Sequence, residues 1–133
     1  MSQQTSYSIV KSVSTDYSET IEMITKSLGD QGFGILSQID ISATLKKKMN
    51  VDYPRTIILG ACNPPFAHRA LSAVPDIAVL LPCNVVVREN GQGQVEIAAM
   101  NPMVMEQVIN DPEVHAVAKE VEQRIRAALD AVG

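Results

Sequence analysis

The sequence predicts an α+β fold: a single domain over residues 1–133, with a mixed sheet of about five strands and helices packed on it. Three observations predict it. Short runs rich in β-branched residues alternate with stretches whose apolar residues recur at helical spacing. The two most apolar runs barely alternate, as strands covered on both faces do. No repeat period and no long linker divides the chain. A chain of 133 residues buries roughly two-thirds or more of the surface its unfolded form exposes, so a core forms without disulfide staples.

The first element is a strand over 6–13, "SYSIVKSV". The period then changes: Tyr17, Ile21, Ile24 and Leu28 fall at helical spacing, Glu19 and Glu22 occupy the early turns, and Gly29 and Gly32 stop a helix over 16–29. "FGILSQID" (33–40) is a second strand, and Ser42 is placed to cap a short helix through Met49. "RTIILGAC" (55–62) and "CNVVVRE" (83–89) are central strands, with a helix from Pro64 to about Val74 between them. "QVEIAAM" (94–100) alternates and is half-buried; the Asn90-Gly91 dipeptide before it suits the positive φ values of a tight antiparallel hairpin. Asn101 and Pro102 open a short helix. From Asp111 one apolar stripe, Val114, Val117, Ala118, Val121, Ile125, Leu129 and Val132, marks the last helix, with Glu120–Arg124 and Glu122–Arg126 as i,i+4 pairs. The order is β-α-β-α-β-α-β-β-α-α. Strands apolar on both sides need cover on the second face, from further helices or a second subunit, and scarce aromatics favour a two-fold homodimer.

Composition narrows the function. A net charge of −4 excludes a polyphosphate partner such as nucleic acid, and Lys46-Lys47-Lys48 reads as the solvated face of a helix. "MSQQTSYSIV" lacks the features of a signal peptide, and no apolar run approaches the ~20 residues of a spanning helix. The expected address is the cytoplasm, with no membrane partner, where two cysteines are reduced thiols.

One stretch, "ILGACNPPFAHRAL" (58–71), carries the candidate site. Cys62 lies where a strand meets a helix start, a position that favours thiolate. Asn63 suits the N-cap, and Pro64-Pro65 stiffens the corner while removing two donors a phosphate would need. His68 sits one turn on, and a second Cys-Asn pair, Cys83-Asn84, opens the next strand. Cys62, Asn63, His68 and Cys83 are therefore the ligand-binding candidates, and Cys62, His68 and Cys83 the donors for a soft metal. C-x-x-C, H-E-x-x-H, a Gly-rich phosphate loop and G-x-S-x-G are all missing. His115 falls on the polar stripe of the last helix; Met100, Met103 and Met105 read as core filling rather than copper(I) ligands. Asp40 and Asp76 could serve as acids or bases, but each also suits a turn or cap.

Gly32-Phe33, Ile39-Asp40, Leu59-Gly60-Ala61-Cys62-Asn63-Pro64 and Leu81-Pro82-Cys83 together resemble the bacterial and archaeal family known as domain of unknown function 302. The resemblance implies a compact α/β sandwich-like domain, often a homodimer, without an established activity or cofactor, with Cys62, Asn63, Pro64 and Cys83 at a pocket or corner. Three readings follow: a small-ligand or soft-metal binding module with a thiol-containing pocket over 62–68, which leads; an enzyme using Cys62 as a redox or nucleophilic thiol; and a structural or interaction dimer with inert buried cysteines.

Overall fold

The computed structural model describes residues 6–133; the first five residues of the stretch read for a leader lie outside the described residues. In chain order the elements are β1 (Ser8–Val13), α1 (Tyr17–Asp30), β2 (Gly34–Asp40), α2 (Ile41–Met49), β3 (Thr56–Cys62), α3 (Pro64–Ala73), a 3-10 helix (Pro75–Leu80), β4 (Cys83–Glu89), β5 (Val95–Met100), α4 (Val104–Val108) and α5 (Pro112–Asp130). The α+β class and the expected order hold, with the 3-10 helix added between α3 and β4.

The strands form one sheet in the order β1-β5-β4-β3-β2. Every neighbouring pair is antiparallel, so the sheet is antiparallel throughout rather than mixed. The reason lies in the connections: α2 and α3 each return the chain beside the strand it has just left, running the opposite way. The β4–β5 hairpin forms where expected, but its left-handed residue is Gly93, φ 78°, not the Asn90-Gly91 pair. The Asn90 side chain instead accepts N–H groups from Gln92 (2.8 Å) and Gln94 (3.0 Å), which builds a longer loop.

Helix starts follow the capping rules. Asp16 Oδ1 accepts from the Glu19 N–H at 2.7 Å, and Asp111 Oδ1 accepts from Glu113 (2.9 Å) and Val114 (3.0 Å) ahead of Pro112. At α2 the cap is Asp40, which takes the Ala43 N–H at 2.9 Å, and Ser42 supports it by donating to the same carboxylate at 2.7 Å. A carboxylate at the positive end of a helix outcompetes a neutral hydroxyl.

One core lies between a single face of the sheet and helices α1, α3 and α5. Leu59, Val85, Val87 and Ile97 of the three central strands meet Ile24 and Leu28 of α1 and Val114, Ile125 and Leu129 of α5, all fully or almost fully buried. Each such side chain contributes about 1.5–3 kcal/mol of burial. Ser27 ties α1 to α5 by donating to the Ala128 carbonyl at 2.6 Å. Of the expected helix pairs, Arg126 binds Glu122 at 3.1 Å, whereas Arg124 turns inward onto the Phe66 ring.

The opposite face carries no second core cluster among the described residues. Its alternate positions give one apolar row across all five strands, Ile39, Ile58, Val86, Ala98 and Val10, each paired in register with the next. Val10 and Ala98 are buried yet stand outside the core cluster.

Gly60 sits where β3 is most crowded: a Cβ there would lie 2.3 Å from Ser37 Oγ and 2.9 Å from Pro82 Cγ. Ser37 has a rotamer to escape to, but the proline ring does not. Gly60→Ala is expected to lower the unfolding free energy by about 1–3 kcal/mol, read as a lower midpoint in urea denaturation with an unchanged slope.

Candidate functional site

The corner after β3 is built from three consecutive features. Cys62 ends the strand, Asn63 occupies the N-cap position, and Pro64 begins α3. Asn63 is buried, but its side chain makes no cap bond to α3; Nδ2 donates to the Gln31 carbonyl at 3.2 Å instead. The prolines at the first two helical positions leave little for a cap to satisfy. Arg124 Nη1 donates to the same Gln31 carbonyl at 3.2 Å, with its guanidinium 5.1 Å from the centre of the Phe66 ring. A cation at the C-terminal end of α1 is favourable for the helix dipole. Asn63 thus staples the corner to the end of α1.

β4 begins at Cys83, and β3 is its neighbour, with Ala61 directly opposite Cys83. Between this strand end, α3, the 3-10 helix, α4 and α5 lies a cavity of about 290 Å³. Cys62, Asn63 and Cys83 line it, together with Phe33, Leu36, Phe66, Leu71, Ile77, Leu81, Met105, Val117 and Val121. Both cysteines and both phenylalanines of the chain are in this one wall. Leu36, displaced by the irregular register between Ile35 and Ser37, lines the cavity while 69% exposed, which places it at the mouth.

His68 is not brought to the cavity: it lies on the exposed side of α3, away from the lining. Helical geometry explains this, since Phe66, Ala67, Ala70 and Leu71 share the inward face and residue 68 falls between them. Among the described residues no three His, Cys, Asp or Glu side chains gather as a metal group. His115 pairs with Glu106 at the surface, as its place on the polar stripe implies. Lys46, Lys47 and Lys48 are exposed in the last turn of α2. Of the methionines among the described residues, Met105 alone lines the cavity. Asp40 is held below its usual range by the Ser42 hydroxyl and the Ala43 N–H, the two groups that donate to its carboxylate.

Sequence reasoning missed the apolar walls: Phe33, Phe66, Leu71, Ile77 and Met105 are far apart in the chain. One signal was present. The only two phenylalanines each follow a chain-bending residue, Gly32-Phe33 and Pro65-Phe66.

Burial first, and then the negative charge of Cys62, push the Cys83 thiol up to about 11. Cys83 is therefore protonated at neutral pH, and the wall it forms is uncharged. An unfolded cysteine titrates near 8.5, so above that pH the unfolded chain releases a proton the folded chain keeps. Folding stability is complete below about pH 8.5 and falls as pH rises toward 11, by about 2–3 kcal/mol. Urea denaturation across this range should show a steeper loss in the wild type than in Cys83→Ala; equal slopes would contradict the assignment.

No helix among the described residues is long and apolar enough to cross a membrane. The family model for "Domain of unknown function DUF302" matches residues 9–132. The crystal structure of an uncharacterized conserved DUF302 protein from Bacillus stearothermophilus is similar at 32% identity and a TM-score of 0.89, covering 97% of this chain and 100% of that one. No curated protein matches. A family match over nearly the whole chain, joined to a shared fold at this identity, means that the chain belongs to the DUF302 family.

Proposed function

We propose that the chain is a small-ligand binding module whose site is the apolar cavity at the β3–α3 corner, working in the cytoplasm. The observation that carries this is the cavity itself, about 290 Å³ with an almost wholly carbon lining, two thiols and one amide. An apolar cavity of about 150 Å³ takes up benzene, so this one has room for an apolar molecule of roughly two fused rings. The polar groups that would orient it are the Cys62 thiol and the Asn63 amide. A soft metal is favoured less, because His68 faces away and the described residues gather no third ligand of its kind.

Naphthalene is a suitable probe. At about ten times its dissociation constant, a bound ligand stabilises by about 1.4 kcal/mol, which should raise the melting temperature by several degrees. Ala67→Phe, which places a ring in the cavity from a partly exposed position on α3, should abolish the shift while leaving the fold intact. An unchanged melting temperature of the wild type at saturating naphthalene would overturn the reading.

The same proposal includes a two-fold homodimer through the sheet face opposite the core helices. It is supported by the apolar row from Ile39 to Val10, which a second copy would cover by presenting the same surface. Light scattering at micromolar concentration should give twice the chain mass, and Val86→Glu, at the centre of that row, should give a monomer. A monomeric wild type would contradict it.

A further inference from the structure

Cys62 and Cys83 are the only cysteines of the chain, and both are free. Because Ala61 is opposite Cys83, Cys62 lies one residue along the neighbouring strand. With strands about 4.8 Å apart and a rise of about 3.4 Å per residue, the two Cα atoms are roughly 6 Å apart. That is within the span a disulfide bridges. Within a regular strand the Cys62 side chain would point to the other face of the sheet. Here the strand ends at Cys62, and both cysteines line the same cavity. Their thiols also sense each other, since the charge of Cys62 raises the affinity of Cys83 for its proton.

We propose that Cys62 and Cys83 are a thiol–disulfide exchange site, closing a reversible disulfide in the cavity wall at the expense of a low-molecular-weight disulfide. This goes beyond ligand binding and stands whether or not the cavity holds a ligand. Cys62, the partly exposed thiol, loses its proton to solvent and attacks one sulfur of the small disulfide. The sulfur–sulfur bond of that molecule breaks, one small thiolate leaves, and a mixed disulfide remains on Cys62. Cys83, buried and one residue away across the ladder, then attacks the Cys62 sulfur; its proton goes to the second departing small thiolate. Two protein thiols are oxidised by two electrons, and one small disulfide is reduced to two thiols.

The order of events follows from exposure. Only Cys62 meets solvent to an appreciable degree, while Cys83 is 7% exposed. The product is uncharged, like the protonated Cys83 it replaces, and so suits the apolar wall. It is also slow to reopen, because reduction by attack on Cys62 expels Cys83, and a thiol of high pKa is a poor leaving group.

The test uses reduced full-length protein and oxidised glutathione at about pH 8, followed by intact-mass spectrometry and peptide mapping. The wild type should lose two hydrogens and yield a Cys62–Cys83 cross-linked peptide pair. Cys83→Ser, or Cys83→Ala where the serine variant folds poorly, should stop with glutathione on Cys62. Cys62→Ser should react about tenfold or more slowly than the wild type. Two results would overturn the proposal: a wild type that stops at the mixed disulfide as Cys83→Ser does, or a Cys62→Ser variant that reacts as fast as the wild type.

Discussion

The pairing of Ala61 with Cys83 across the β3–β4 ladder is the constraint on which the rest of the molecule depends. Side chains alternate faces with a period of two, so a slip of one residue between β3 and β4 would put Leu59 on the opposite face from Val85 and Val87 and split the centre of the core. Gly60, one residue before this pair, leaves room for no side chain between Ser37 of β2 and Pro82 of the segment before β4. Core, crowding and site are thus set by one register, which is why the candidate site sits on rigid strand ends rather than on a free loop.

What the sequence makes legible is what short-range chemistry decides. The five strands, the long helices and the final amphipathic stripe follow from periodicity, because each element hides one face of its own. The Cys62–Asn63–Pro64 corner is legible too, since a thiol, an amide and two prolines between a strand and a helix admit few conformations. What remains hidden needs a partner from elsewhere. Asn63 looks like a cap in isolation, but the Gln31 carbonyl at the end of α1 competes for its amide and wins. Arg124 looks like the partner of Glu120 until Phe66 and Gln31 approach it. His68 looks close to Cys62 along the chain, yet the turn of α3 directs it outward. The cavity is the extreme case, since its walls come from seven separate elements.

The two faces of the sheet also explain why the apolar runs barely alternate. "RTIILGAC" and "CNVVVRE" barely alternate, which suggests cover on both sides, from helices or from a second subunit. The structure places α1, α3 and α5 on one side, and the second set of apolar residues falls on the row through Ile58 and Val86. Apolar content on both faces therefore reports that both are suited to cover, without saying by what.

The cavity is kept open by small side chains. Ala61, Ala67, Ala70 and Ala118 all line it, and any of them exchanged for a leucine would occupy part of the space. An enclosed apolar void of about 290 Å³ would weaken the fold by on the order of 7 kcal/mol at the usual cost per unit volume. That is comparable to the whole net stability of a typical domain, about 5–15 kcal/mol. A mouth beside the exposed Leu36 relieves part of the penalty, since solvent reaches the hollow. The remainder is still a standing loss that four alanines impose at positions where larger residues would pack. A core optimised only for stability would fill this space; the proposed ligand-binding role accounts for a core that keeps it, with both cysteines and both phenylalanines in its lining.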